Sequence, residues 1–288
     1  MAVTADVIEA PVLPSSRAAR ARRFVVRNPT LVAGAVCLLL LAGSAIAAPL
    51  ITARDPQQMR PTARLTPPSA DRPFGADHFG RDVFARTLYG GRISLRVGIT
   101  VALISLLIGA AVGLTSGFYR ALDTVVMRVV DGLMAIPSVL LALALMALVK
   151  ASVETVIAAL VVPEVPRVIR VVRASVLSLR EHTMVEGARA MGAGTPRILI
   201  RYILPALVAP LIVQGTHVCA SAILVESYLS FLGAGTPPHI PSWGNVMAEG
   251  RAYVQIAVWI LLFPGLFLML TVLSINLLGD GLRDRLKV

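Results

Sequence analysis

The sequence predicts an all-α integral membrane protein with six transmembrane helices and a short cytoplasmic helix between spans 4 and 5. Of its 288 residues, 56% are hydrophobic and only 15% are charged, and the mean hydropathy is +0.78. Average soluble domains carry about 25% charged residues, so this chain has too little polar surface for water. Its long uncharged runs suit a bilayer core, which takes roughly 20 helical residues to cross.

The N-terminal part is predicted to hold a cytoplasmic segment, one membrane anchor and a long connection. Residues 1–29 are polar and basic, and residues 30–51 form an uncharged run. Residues 45–47 match a signal-peptide cleavage pattern, but the run exceeds the usual apolar core of such peptides, so we expect an uncleaved anchor. Residues 52–91 are rich in proline, which argues against regular structure in the first half of this connection.

Residues 92–288 are predicted to form the membrane core. Its clearest uncharged runs are residues 97–119, 132–149, 202–225 and 252–279. A weaker span is expected from Glu154 to about residue 173, with Arg170 and Arg173 extending to the inner surface. Together with the anchor, these runs give six spans, so both chain ends should lie on the same side of the membrane.

The distribution of arginine and lysine predicts which side that is. The N-terminal segment, residues 167–201 and the C-terminal tail are rich in these residues, whereas the loop 226–251 contains only Arg251. The positive-inside rule therefore places both termini in the cytoplasm. The connection 52–91 departs from the rule, because its six arginines would lie outside.

Several other functions are excluded by the same residues. The net charge of +11 does not indicate nucleic-acid binding, because the arginines sit at the ends of apolar runs and aromatic residues make up only 5%. The two cysteines have no C-x-x-C partner, so no metal site is expected. Gly75 and Gly80 have the spacing of a phosphate-binding loop, but Arg81 and Asp82 follow them in place of its lysine and hydroxyl residue. We therefore expect no cofactor in this chain.

The loop between spans 4 and 5 is predicted to contain a short amphipathic helix. Thr183 and Glu186 have the spacing of a capping box, in which each side chain bonds to the backbone amide of the other. Met184, Ala188 and Met191 recur at i, i+4 and i+7 and would therefore share one face of the helix.

Glycine and proline set the limits within this loop, which we bound at residues 180–205. Gly192 would stop the helix in a left-handed conformation. Thr195 fits the cap of a second helix and Pro196 its first position, and Pro205 enters the next span. A helix of about eight residues is not stable alone. It would pack either on its own bundle or in a groove of a partner protein.

Polar residues inside the spans have two readings each. Glu164 is expected to pair with Arg167 near the inner interface, and an ion-coupling or cavity role is the alternative. His217 and Ser221 share a helix face, and interhelical hydrogen bonding is favoured over a hydrolytic pair. Gln214 is interpreted in the same way, and some of these residues would line a path.

Two segments outside the spans are also informative. Trp243 follows several prolines, which suits an interfacial lip or gate. Together with Gln214 and His217 it is a candidate residue of a path or gate. Asp123 and Asp131 lie between the second and third spans, where a solvated or locally paired loop is expected.

The predicted short helix carries a recognisable motif. The run Glu186-Gly187-Ala188-x3-Gly192, with Ile-Leu-Pro at residues 203–205, resembles the EAA loop of permease subunits of ATP-binding cassette importers.

Three further stretches resemble one subfamily of these permeases. GADHFGRDVFARTLYGGRISLRVG at residues 75–98 is similar to the segment before the second span in dipeptide, oligopeptide and nickel permeases. SFLGAGTPPHIPSWGNVMAEGR at 230–251 and FPGLFLMLTVLSINLLGDGLRD at 263–284 are similar to its C-terminal signature. The anchor followed by a polar connection fits the "C-type" subunit of the permease pair.

The resemblance implies a type I importer fold and a non-catalytic role in the inner membrane of a prokaryote. Its implied partners are a second homologous permease subunit, an extracytoplasmic substrate-binding protein and two ATPase subunits, or one fused chain, that hold ATP and magnesium. The implied cargo is peptides, with nickel chelates or haem as alternatives. The implied coupling residues are Thr183, Glu186, Gly187, Ala188, Met191, Gly192 and Pro205.

Two rival classes fit the sequence less well. A secondary transporter is expected to show internal repeats and charged sites near the bilayer midplane. A membrane enzyme needs convergent polar groups within the membrane. Neither pattern is evident in the sequence.

Overall fold

The computed structural model describes residue 26 and residues 28–286, which are almost entirely helical. The α-helices are α1 (Pro29–Ile46), α2 (Ala48–Ile51), α3 (Val83–Phe118), α4 (Arg120–Met134), α5 (Ser138–Ala147), α6 (Val153–Leu179), α7 (Thr183–Ala190), α8 (Thr195–Ile198), α9 (Leu204–Phe231), α10 (Trp243–Gly250) and α11 (Trp259–Leu286). Three short turns complete the helical segments, at Pro61–Ala63, Leu199–Ile203 and Arg251–Tyr253.

The six predicted spans all fall mainly on these helices. By length and composition, α1, α3, α11 and the segment Thr195–Phe231 are each able to cross a membrane. The helices α4 and α5 meet at an 85° bend and count as one further span if taken together. At 27 residues, α6 is about 40 Å long, enough to cross, although its charged residues lower its hydropathy.

The predicted third span, 132–149, is not one continuous helix in the structure. Helix α4 ends at Met134 and α5 begins at Ser138, so the run is interrupted near Pro137. Proline has no N–H group and pushes the residue before it out of helical conformation. Asp123 and Asp131, expected on a loop, lie instead on the amphipathic helix α4.

The connection after the anchor is irregular, as its prolines predict, apart from one 3-10 turn. The connection was expected to end at residue 91, but it ends at Asp82, because α3 already begins at Val83. Asp82 starts the helix by accepting a hydrogen bond from the Ala85 amide at 2.9 Å. Residues 83–91 therefore extend α3 beyond the uncharged run.

The core of the bundle is the contact between α3 and α6. Gly109, Gly113 and Gly117 on α3 face Val168, Val172 and Val176 on α6. A Cβ added to any of the three glycines would stand 2.5–2.8 Å from the Cβ of the facing valine. The two helices can therefore approach this closely only because the α3 positions lack side chains.

Ion pairs join α4 to the part of α6 that also packs against the glycines of α3. Arg173 binds both carboxylate oxygens of Asp123, with Nη2 at 2.6 Å from Oδ2. Arg170 Nη2 lies 2.6 Å from Asp131 Oδ1. The two arginines predicted to extend to the inner surface are thus each bound to a carboxylate of a neighbouring helix.

Candidate coupling site

The short helix predicted between spans 4 and 5 is α7, and its first residue is Thr183. The cap is His182, whose Nδ1 accepts a hydrogen bond from the Met184 amide at 3.3 Å. The predicted Thr183–Glu186 capping box is therefore wrong by one residue. His182 has the extended backbone that a cap requires (ψ 140°), whereas Thr183 is already helical.

Gly192 ends α7 as predicted. Its φ angle is +79°, and its amide donates to the Arg189 carbonyl at 2.9 Å. The Ala193 amide donates to the Ala188 carbonyl at 3.0 Å, which completes a Schellman motif. A Cβ at Gly192 would meet nothing within 4 Å, so the requirement for glycine comes from the backbone angle and not from crowding.

One face of α7 packs on the chain's own bundle. Val185 and Ala188 are fully buried and belong to the same apolar cluster as Ile198, Leu199 and Ile203. The prediction that Ala188 shares a face with the two methionines is wrong, because Ala188 turns inward together with Val185, three residues before it. Packing on the bundle, one of the two explanations left open, is thus correct for this face.

The described residues of the chain do not cover a second face of α7. Met184, Gly187 and Met191 recur at i, i+3 and i+7, and we call them the open stripe. Met184 is 44% exposed and Met191 80% exposed. A Cβ at Gly187 would meet nothing within 4 Å. Glu186 is exposed as well.

The segment after α7 departs by one residue from the predicted helix start. Gly194 caps α8, so Thr195 and Pro196 occupy its first two positions. The turn Leu199–Ile203 is π-helical and runs directly into α9, whose second residue is Pro205. Proline has no N–H group, so Pro205 removes one rung of the helical hydrogen-bond ladder at this junction.

Two contacts fix α7 and its flanks to the end of α3. Arg180, which follows α6, donates from Nη1 to the Gly117 carbonyl at 3.3 Å. The guanidinium of Arg189 on α7 lies 5.6 Å from the centre of the Phe118 ring. The short helix is thus held against the ends of both α3 and α6.

A polar network joins α5, α6 and α9 inside the bundle. Arg167 donates from Nη1 to Glu164 Oε1 at 2.9 Å and from Nη2 to Ser138 at 3.2 Å. Ser221 donates to the same Glu164 oxygen at 2.8 Å. These contacts confirm the predicted Glu164–Arg167 pair and the interhelical bond of Ser221. On α9, Gln214 is half-buried and His217 is exposed.

Trp243 has a different place from the predicted lip. Its side chain is 1% exposed, and its Nε1 donates to the Thr87 carbonyl of α3 at 3.0 Å. Gly91 leaves room for the indole, since a Cβ there would stand 3.0 Å from Cζ2. The loop after α9 folds back, so Trp243 anchors α10 against α3 from within the core.

Glu226, near the end of α9, was not predicted to have a role. This glutamate is fully buried, and its carboxylate accepts hydrogen bonds from Ser230 at 2.8 Å, Ser94 at 3.0 Å and Ser227 at 3.3 Å. Hydroxyl donors offset part of the cost of burying the carboxyl group. The available signal was an acidic residue directly after the uncharged run 202–225, followed by nearby serines.

A second feature that the sequence analysis missed is a group of ion pairs, which we call the cap cluster: Asp77, Arg81, Arg86 and Glu249. Arg81 Nε lies 2.6 Å from Asp77 Oδ2, and Arg81 Nη2 binds Glu249. Arg86 Nη2 lies 3.0 Å from Glu249 Oε1. Burial raises the pKa of the Glu249 carboxyl, and the two guanidinium groups oppose the rise. The cluster joins the stretches 75–98 and 230–251, which are far apart in sequence.

Comparisons with known proteins agree with this architecture. The chain matches the family model "Binding-protein-dependent transport system inner membrane component" over residues 93–288. It also matches "N-terminal TM domain of oligopeptide transport permease C" over residues 16–68. The MetNI methionine ABC transporter, solved in inward-facing conformations, has a TM-score of 0.57 at 19% identity over 71% of this chain and 96% of its own, which shows a shared fold.

Curated relatives cover nearly the whole chain. A protein of Sinorhizobium fredii named "Probable peptide ABC transporter permease protein" is 50% identical over 91% of this chain and 90% of its own. The dipeptide transport system permease protein of Alkalihalophilus pseudofirmus is 40% identical over 90% and 86%. The glutathione transport system permease protein of Pectobacterium atrosepticum is 39% identical over 92% and 88%.

The predicted all-α membrane fold and the predicted kinship with importer permeases are thereby confirmed. The same kinship makes this chain a non-catalytic subunit, because in such transporters a separate subunit hydrolyses ATP. The chain belongs to the family of binding-protein-dependent transport system inner membrane components.

Proposed function

We propose that this chain is one permease subunit of an ATP-driven peptide importer and that the open stripe of α7 receives an ATPase subunit. The observation that supports this is the two-sided environment of α7. Val185 and Ala188 are 0% and 1% exposed, whereas Met191 is 80% exposed. A helix that packs on its own bundle with one face and exposes the other to a partner suits a contact that transmits force. Exposed methionines are common on surfaces that bind a partner helix or groove.

The proposed assembly has three kinds of protein component besides this chain. A second homologous permease completes the path, and two ATPase subunits, or one fused chain, hold ATP and magnesium. A substrate-binding protein delivers cargo on the opposite side. The proposal places α7 and both termini in the cytoplasm, in agreement with the arginine-rich segment 167–201.

The contacts of α7 support a mechanism for coupling. Because Arg180 binds the Gly117 carbonyl and α6 runs into α7, a displacement of α7 shifts the ends of α3 and α6 together. Glycine–valine packing makes these two helices one rigid unit. ATP-driven closure of the ATPase pair would then rock this unit and change access to the path, as in other rigid-body transitions.

The path itself is proposed to pass the polar face of α9. Gln214 and His217 lie on that helix, near the network of Arg167 and Glu164. Trp243 contributes indirectly, by holding α10 in place behind α3.

Disulfide cross-linking in the assembled importer tests the coupling contact. In a chain whose two native cysteines are replaced by serine, Met191→Cys should cross-link to a cysteine placed in the ATPase groove. Met59→Cys is the matched control, because Met59 is 58% exposed but lies in the connection after the anchor. A cross-link from residue 59, or none from residue 191 in an assembled complex, would contradict the proposal.

Transport in reconstituted vesicles tests the cargo. Names of the relatives favour peptides, so a labelled dipeptide should accumulate when ATP is supplied on the ATPase side and the binding protein on the other. A nickel chelate and haem serve as competing substrates in parallel vesicles. Uptake of either in preference to the dipeptide would overturn the peptide assignment, and uptake by this chain without an ATPase would overturn the importer itself.

A further inference from the structure

A cavity of about 900 Å³ lies between α1, α3, α9 and α11, away from α7. Its wall is mostly apolar. The residues that define it best are Leu38, Ala42, Ala102, Leu103, Leu106 and Ile212. Its volume lies within the range of about 300–1,000 Å³ that is usual for ligand sites.

One end of the cavity is polar and positively charged. Tyr89, Arg92 and Arg96 line this end, and both arginines are exposed. Arg92 lies over the Tyr89 ring at 5.8 Å. Arg96 is 3.6 Å from Glu154, but these side chains are 59% and 72% exposed, so the pair is weak. The two guanidinium groups can therefore bind an anion at the mouth.

The depth of the cavity matches one leaflet of a bilayer. The uncharged run of α3 begins directly after Arg96, which places that arginine at the edge of the hydrocarbon. From Arg96 to Leu106 the helix rises about 15 Å, half of the roughly 30 Å core. The two arginines at the interface match the phosphate group of a phospholipid, and the apolar part of the cavity below them, which we call the slot, matches an acyl chain.

We infer that this cavity binds an anionic phospholipid, with an acyl chain in the slot and the phosphate group on Arg92 and Arg96. A peptide fits less well, because its backbone amides would need hydrogen-bond partners that the apolar wall does not supply. The Thr216 hydroxyl, one of the few polar groups in the wall, already donates to the Val213 carbonyl at 2.8 Å. A helix of the partner permease is also a poor fit, since about 15 Å of helix occupies roughly 1,200 Å³.

The test measures the lipid retained by the whole importer. The complex is reconstituted with equal parts of phosphatidylcholine and phosphatidylglycerol, extracted in mild detergent and analysed by native mass spectrometry. The wild type should retain phosphatidylglycerol in preference to phosphatidylcholine. Arg92→Gln with Arg96→Gln should reduce that preference about tenfold, because it removes both positive partners of the phosphate group, and ion pairs at exposed sites are individually weak. Arg120→Gln with Arg128→Gln, which removes the same charge from α4, should leave the preference unchanged.

A second variant tests the slot separately from the charge. Ala42→Phe with Ala102→Leu fills the cavity and should displace the retained lipid while both arginines remain. Assembly of the complex and its basal ATPase rate report whether each variant has folded. The inference is overturned if the Arg92/Arg96 variant retains as much phosphatidylglycerol as the Arg120/Arg128 variant. It is also overturned if an added dipeptide displaces the retained lipid, or if the partner permease shields the Leu103→Cys thiol from labelling.

Discussion

Gly113 of α3 lies against Val172 of α6, where an added Cβ would stand 2.8 Å from the Cβ of the valine. Gly109 and Gly117 repeat this relationship one turn before and one turn after it. Helix α6 runs into α7, and the end of α3 contacts Arg180 and Arg189, so the close approach of α3 and α6 determines whether α7 and the membrane bundle move as one unit.

Replacement of Gly113 by leucine should therefore disrupt the bundle. Overpacking of a well-packed site usually costs about 1–3 kcal/mol, and at this backbone contact we expect the upper end of that range. The measurement is the temperature at which the detergent-solubilised chain loses its monodisperse chromatographic peak. Gly132→Ala on α4 is the control, because a Cβ there meets nothing within 4 Å. Equal stability of the two variants would contradict the proposed packing.

Gly192→Val should abolish transport in a chain that still inserts into the membrane. A left-handed conformation costs a residue with a side chain about 1–2 kcal/mol, and here it would displace the Schellman bonds that end α7. ATP-driven uptake and membrane content are measured on the same vesicles. Gly192→Asn should keep most of the transport, because asparagine adopts this conformation more readily. If valine is tolerated as well as asparagine, the helix stop is not needed for coupling.

Glu249→Ala should destabilise the protein strongly, because it leaves the fully buried Arg86 without its closest carboxylate. Breaking a buried pair from one side costs about 3–5 kcal/mol. The free energy of unfolding in a denaturant titration gives the effect directly. Glu154→Ala removes the exposed partner of Arg96 and should have a much smaller effect on the free energy of unfolding. A small effect at residue 249 would show that the cap cluster does not hold the fold together.

His78 should make the folded state weaker in acid. Its ring lies 3.9 Å from the Phe79 ring and 5.2 Å from the Tyr253 ring, and burial lowers the pKa of the imidazole below its usual value of 6.5. A lowered pKa means that the unfolded chain binds the proton more tightly. Its contribution to stability is therefore fully present above pH 6.5 and declines as the pH falls below it.

The pH effect is isolated by comparison with a variant. The loss of thermal stability between pH 7.5 and 5.5 should be smaller for His78→Phe than for the wild type, since phenylalanine keeps the stacking and cannot be protonated. An identical loss in both proteins would assign the acid sensitivity to other groups.

Sequence reasoning predicted features that depend on local backbone or on composition. Gly192 was identified correctly as a helix stop, because a left-handed backbone favours glycine whatever surrounds it.

Features that depend on distant partners were missed. In a helix of eight residues, several faces carry apolar side chains, so the sequence could not show that Ala188 turns inward while Met191 stays exposed. The burial of Trp243 depends on the Thr87 carbonyl of another helix. The hydroxyl shell of Glu226 likewise includes Ser94, which is 132 residues away.

The cap cluster also bears on how the molecule is made. Arg86 binds an acceptor that the ribosome adds 163 residues later. Until translation reaches Glu249 and α10 folds back, the guanidinium lacks its closest carboxylate and the burial that α10 provides. Burial of Arg86 is therefore a late step of biogenesis, and an exposed Arg86 distinguishes a truncated nascent chain from a finished one.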